Sequence, residues 1–169
     1  MLDIDSDINR RKQLCMAMYN KYKDKLQNKK LSLTIRMRIF NAFIRPVFMY
    51  NSELWTLTKK TENVIDTFHR NLLRKILNIH YPHIITNIDL LKRTNETAWT
   101  QIITVRRLRW TGHFLRTNEQ APVWLAYKEY NRFCEKKNIG NKITWTKQIN
   151  NDLQKVNHTL SLEKPNIRT

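Results

Sequence analysis

A chain of 169 residues has room for one ordinary domain or two small helical ones, and not for a large enzyme. Hydrophobic residues at 41% and charged residues at 27% suit a chain that folds. The net charge of +17 repels itself unless a polyanion offsets it, which makes nucleic acid the expected partner. A membrane surface could offset the charge instead, but neither spanning nor a membrane partner is expected, because Arg45 interrupts the best apolar run, Phe40 to Tyr50, well short of the roughly 20 residues a spanning helix needs.

Met1 to Asp7 is acidic where a secretory signal would be basic and then apolar, so an intracellular, reducing setting in nucleus or cytoplasm is expected. Asp5, Ser6 and Asp7 suit a helix start, and Ile8, Cys15, Met18, Tyr22 and Leu26 recur at helical spacing, which predicts a first helix over about 6–28. A second, over about 32–45, places Ile35, Ile39 and Phe43 on one apolar stripe with Arg36, Arg38 and Arg45 off it, before Pro46 kinks or ends it. Trp55 is expected to anchor the turn that follows. Thr58 can cap a third helix whose stripe is Ile65, Phe68, Leu72, Ile76 and Ile79, leaving Arg70, Arg74 and Lys75 outside it. Tyr81-Pro82 breaks this pattern and marks the expected domain boundary. His80 and His83 flank it and read as loop histidines, since a metal would need two more convergent ligands.

Thr86-Asn87-Ile88-Asp89 fits an acidic capping box opening a short helix. The next helix, about Glu96 to Arg116, carries Arg106, Arg109, His113 and Arg116 within one narrow arc. Trp99, Ile103, Trp110 and Phe114 lie on one side of that arc, and Val105, Leu108, Gly112 and Leu115 beyond its other side, so the helix is expected to be wedged between partners with its arginines outward. A last helix is predicted near Thr144 to Val156, with Trp145, Ile149 and Leu153 at four-residue steps and a frayed end after it. Two glycines, Gly112 and Gly140, are too few for hairpin-rich sheets or phosphate-cradling loops. Cys15 and Cys134 are too far apart in sequence for a zinc ribbon and read as buried thiols. The expected class is all-α with about six helices.

Two-metal phosphoryl transfer needs clustered carboxylates. Asp24, Glu53, Glu62, Asp66, Asp89 and Glu96 instead stand singly, where solvated pairing is the usual role. No catalytic residue, metal or cofactor is expected in this chain.

Residues 39–60, IFNAFIRPVFMYNSELWTLTKK, resemble a signature of non-LTR retrotransposon reverse transcriptases. Residues 106–116, RRLRWTGHFLR, resemble a second signature of those proteins that lies downstream at about this spacing. Between them FHRNLLRKI, 68–76, is similar to the family's linking helix, and DINRR, 7–11, to the segment just after the palm. The likeness thus covers roughly 5–128, and the segment after about Tyr130 resembles nothing named. One departure is Asn51, which stands where glycine is usual; asparagine tolerates left-handed backbone, so the turn is expected to persist.

The resemblance implies the polymerase thumb and the region after it, a helical bundle at 1–82 and a post-thumb helical region at 83–130; the spacing alone adds a C-terminal helix and tail at 131–169. It implies a grip on template-primer backbone, with the palm's paired metal-binding aspartates lying upstream of these motifs. Its thumb-like candidates for phosphate contacts are Arg36, Arg38, Arg45, Lys59, Lys60, Arg70, Arg74 and Lys75, joined by Arg106, Arg109, His113 and Arg116 on the later stripe. The expected partners are RNA, DNA or a hybrid duplex, read with low sequence specificity, and the upstream palm and fingers of the same polyprotein. A competing reading is a helical protein-interaction module derived from a retroelement, in which the charge serves solubility or localisation. A third is an active polymerase or nuclease whose missing residues lie on a separate chain or in upstream coding sequence.

Overall fold

Charge at its two ends favours the first helix, α1 (Ile4–Leu26): Asp5 and Asp7 lie in its first turn and Lys23 and Lys25 in its last, each complementing the helix dipole. The computed structural model describes residues 4–118, 120–136 and 143–162. Ser32 opens α2 (Leu33–Ile39), its Oγ accepting from the Ile35 N–H at 3.3 Å. The rod does not end at Pro46. Residues Phe40–Ile44 widen into a π turn, with the Arg45 N–H donating to the Phe40 carbonyl, and α3 (Arg45–Met49) continues it. The wider turn makes room for a proline ring that has no N–H to give.

Asn51 then turns the chain with a left-handed φ of 57°, as expected, into a short 3-10 turn at Ser52–Leu54. Thr58 caps α4 (Lys59–Leu77) by accepting from the Thr61 N–H at 3.2 Å. Thr86 caps α5 (Asn87–Thr94) as expected, its Oγ1 accepting from the Asp89 N–H at 3.1 Å, but the Asp89 carboxylate accepts from the Thr86 hydroxyl at 2.7 Å and not from the Thr86 N–H that a full capping box engages. Asn78 and Asn95 close α4 and α5 with φ near 55° and 52°. At all three left-handed positions, asparagine does what glycine does in most chains.

Asp66 starts α6 (Trp99–Leu115) from a distance, accepting from the Thr100 N–H at 3.1 Å and its hydroxyl at 2.7 Å. α7 (Pro122–Lys136) and α8 (Trp145–Leu162) complete the chain. Among the described residues there is no strand, and seven helical rods when α2, the π turn and α3 count as one. The fold is all-α. The expectation of about six helices lacked α7, whose inner positions Trp124, Tyr127 and Tyr130 are aromatic but only half-buried and give a weak apolar stripe. No helix among the described residues is long and apolar enough to cross a membrane.

The chain divides into two compact units. One takes the described residues up to Ser52 together with Thr58–Ile103; the other takes Glu53–Leu57 and the described residues from Thr104 on. In the first, Tyr19, Phe40, Ile44, Phe48, Leu72 and Trp99 are fully buried. The α2 stripe anticipated at Ile35, Ile39 and Phe43 is not the buried one: Ile35 and Phe43 are each 44% exposed, while Met37, Phe40, Ile44 and Phe48 enter the core. Both sets recur at helical spacing, and periodicity alone does not rank two apolar faces of one helix. Phe43 instead stacks on Tyr22 with ring centroids 4.6 Å apart. Cys15 is buried and free, and burial pushes its thiol up to about 12.

In the second unit Phe114 gathers Trp124, Tyr127 and Trp145 at centroid distances of 4.3, 5.0 and 6.3 Å. Trp55, expected to anchor the turn after the second helix, is buried. α8 buries Gln148, Ile149 and Asp152, whereas Leu153 of the anticipated stripe is 45% exposed. The Cys134 side chain, and most of the end expected to fray, lie outside the described residues.

Candidate nucleic-acid interface

The arginine-rich arc of α6 is a consequence of what the helix buries. Trp99, Ile103 and Phe114 face inward with Arg107 among them, which turns Arg106, Arg109, His113 and Arg116 outward, and all four are exposed. Arg106 reaches Glu53, its Nη2 3.1 Å from Oε2. Arg109 and Arg116 form no ion pair among the described residues. The Trp110 and His113 rings lie 5.6 Å apart. The flank beyond the arc is open rather than wedged: Val105 is 46% and Leu115 64% exposed.

Arg107 is the residue that charge patterning misplaces. It is 1% exposed and pairs with Asp152 of α8. The other Asp152 oxygen accepts from Gln148 Nε2 at 3.1 Å, and Gln148 Oε1 accepts from the Leu57 N–H at 3.0 Å. A buried pair needs such extra hydrogen bonds to offset its desolvation. The signal for it was position: Arg107 falls four residues after Ile103 on the apolar face.

In the first unit several candidate cations are engaged by the fold itself. Arg36 Nη1 donates to the carbonyls of Ile76, at 2.8 Å, and Leu26, at 3.5 Å, satisfying oxygens at the C-terminal ends of α4 and α1. Arg45 Nη2 lies 2.5 Å from Glu96 Oε2, and Asn41 Nδ2 donates to Oε1 of the same buried carboxylate at 2.9 Å. Glu96 was expected to be solvated; its side chain is 1% exposed and it receives both donors. His69 is buried beside them, stacked on Trp99 at 4.6 Å, and burial first, then the charges of Arg45 and Arg70, push its imidazole down to about 3.

The remaining candidates lie nearer solvent. Arg70 donates to Thr67 Oγ1 at 3.0 Å, Arg74 to Asn87 Oδ1 at 2.8 Å, and Lys75 sits 5.8 Å above the Tyr19 ring. Arg38, Lys59 and Lys60 are exposed, Lys59 within 3.6 Å of Glu62. Lys60 lines a groove of about 390 Å³ between α1 and α4, together with Asn63, Thr67, Phe68 and Asn71. Lys12, which sequence reasoning did not single out, lines it from α1, its Nζ 5.7 Å from the centre of the Phe68 ring. The polar positions 60, 63, 67 and 71 lie off the apolar stripe of α4, and that spacing was the available signal.

Over 120 residues the chain is 25% identical to an uncharacterized transposon-derived protein of Caenorhabditis elegans. The likeness points to a transposon origin. The match covers 67% of this chain and 42% of that relative, so the chain spans less than half of its length. No family model and no solved structure matches the chain.

What this geometry can do is hold polyanions. Guanidinium groups a turn or two apart can each meet a phosphate in a charge-assisted pair. Among the described residues no three His, Cys, Asp or Glu side chains gather as a metal ion would require.

Proposed function

We propose that this chain is the nucleic-acid-gripping part of a retrotransposon RNA-directed DNA polymerase, corresponding to the thumb and the helices after it. It holds the template-primer backbone while the palm and fingers of the same polyprotein carry out the chemistry. The observation that carries the reading is the exposed row Arg109, His113 and Arg116 on α6, with no carboxylate paired to its arginines among the described residues, in a chain of net charge +17. The resemblance of 39–60 and 106–116 to reverse transcriptase signatures supports it, as does the transposon-derived relative. Arg36 and Arg45 are assigned to holding the first unit together, leaving Arg38, Lys59, Lys60, Arg70, Arg74 and Lys75 as its backbone contacts, with Arg106 a weaker member of the α6 row because Glu53 shares it.

The test is fluorescence anisotropy of a labelled RNA–DNA hybrid from 50 to 200 mM salt. Wild type should bind with a steep logarithmic salt slope. The double substitution Arg109→Glu/Arg116→Glu, which removes two phosphate contacts, should flatten that slope by about 1.4 to 1.8 units. Binding that is unchanged in the variant removes the α6 row from the interface. A protein-docking reading draws on the exposed Ile35 and Phe43, and salt-insensitive binding to a protein partner would favour it.

A further inference from the structure

The groove between α1 and α4 has a lining unlike that of the α6 row. Its cations are Lys12 and Lys60, and no acid lines it. Along α4 the exposed side chains of Asn63, Thr67 and Asn71 follow one another at four-residue steps, about 6 Å apart along the axis. Neither carboxamide makes a hydrogen bond among the described residues. Thr67 Oγ1 accepts from Arg70 and keeps its own proton to give. The half-buried Phe68 ring and Val64 supply the apolar part of the lining.

A phosphodiester only accepts, so cations and the N–H and O–H donors of asparagine and threonine can all meet it, but the acceptor half of a carboxamide or hydroxyl stays unused there. Carboxamides and hydroxyls both donate and accept, and so does a ribose 2′-hydroxyl. The wide, shallow minor groove of an A-form duplex displays a row of these hydroxyls, where DNA carries only C–H. Neutral donor-acceptor groups in file, an apolar lining and two lysines therefore match the sugar edge of an RNA strand better than a row of phosphates.

We infer that Asn63, Thr67 and Asn71 read the ribose 2′-hydroxyls of an RNA strand within a duplex, with Lys12 and Lys60 holding the adjoining phosphates. The inference rests on the nucleic-acid-gripping reading above and adds to it a preference for RNA-containing duplexes.

The experiment uses the whole chain and fluorescence anisotropy on DNA–DNA, RNA–DNA and RNA–RNA duplexes of one sequence at one salt concentration, with a fourth duplex whose RNA strand carries 2′-fluoro groups. Wild type should prefer both RNA-containing duplexes by about tenfold, the combined effect of two or three neutral hydrogen bonds. The 2′-fluoro duplex, A-form but without the hydroxyl proton, should lose most of that preference. Asn63→Ala/Asn71→Ala should remove most of the preference by weakening binding to the RNA-containing duplexes, with circular dichroism verifying its helix content. Lys12→Gln/Lys60→Gln should weaken all the duplexes together and keep the preference. Equal binding of all duplexes by wild type overturns the hydroxyl assignment and leaves the grip standing. A preference that survives undiminished in Asn63→Ala/Asn71→Ala, or that the 2′-fluoro duplex retains in full, also overturns it. Failure to bind any duplex overturns both readings.

Discussion

Acidification should destabilise the first unit through His69. The imidazole is fully buried against Trp99, and burial, with the charges of Arg45 and Arg70, holds it at about 3 against an ordinary 6.5. The Glu96 carboxylate, 3.9 Å away, does not rescue the charged form, because Arg45 already engages it. The folded protein therefore keeps His69 neutral while the unfolded chain takes up a proton as pH falls through 6.5, so the unfolded state binds more protons throughout the window from 6.5 down to 3. Stability from this group is complete above 6.5 and is lost as pH descends through that window. The loss approaches about 1.4 kcal/mol per pH unit, which makes the step from pH 7 to pH 5 worth about 2 kcal/mol. Urea denaturation at the two pH values measures it in wild type and in His69→Phe, whose ring can keep the stack on Trp99. The variant should lose about 2 kcal/mol less than wild type over the same interval. Equal losses in both proteins would refute the assignment of the acid sensitivity to His69.

The buried pair in the second unit gives a sharper contrast between single and double substitutions. Asp152→Ala leaves Arg107 charged in the interior and should cost about 3–5 kcal/mol by chemical denaturation, whereas Arg107→Met/Asp152→Leu should recover most of it. At Asn78, replacement by glycine should be neutral within a few tenths of a kcal/mol, and replacement by valine should cost about 1–2 kcal/mol, because only the latter resists the left-handed backbone. Thermal melts distinguish the two, and equal melting temperatures would count against strain at that turn.

Features set by a few neighbouring residues are legible in the amino-acid sequence. The Thr86 and Thr58 caps and the left-handed turn at Asn51 depend on local backbone and appear where expected. Features that depend on which face meets which partner are not. The rod made of α2, the π turn and α3 offers two apolar stripes, and its choice of Phe40 and Ile44 over Ile35 and Phe43 is a tertiary outcome. Glu96 and Arg107 look like ordinary surface charges because burial of an ion pair needs a partner far along the chain, Arg45 in one case and Asp152 in the other. The α6 arc is legible as an exposed face because four basic residues at helical spacing cannot all be buried. Lys12 escapes notice because its groove is made with α4, more than forty residues later in the chain.

The short stretch Glu53–Leu57 belongs to the second unit although the chain on both sides of it belongs to the first. Leu57 offers its N–H to Gln148, and the Glu53 carbonyl accepts from the Trp145 indole at 3.0 Å. No single cut can therefore release either unit intact. A fragment stopped after Ile103 would retain Trp55 and Leu57 but lose the helices that cover them, presenting two large apolar side chains on a loop. A chain truncated there should aggregate or be rapidly degraded, because the segment that the second unit takes from the middle of the first is left without its partners.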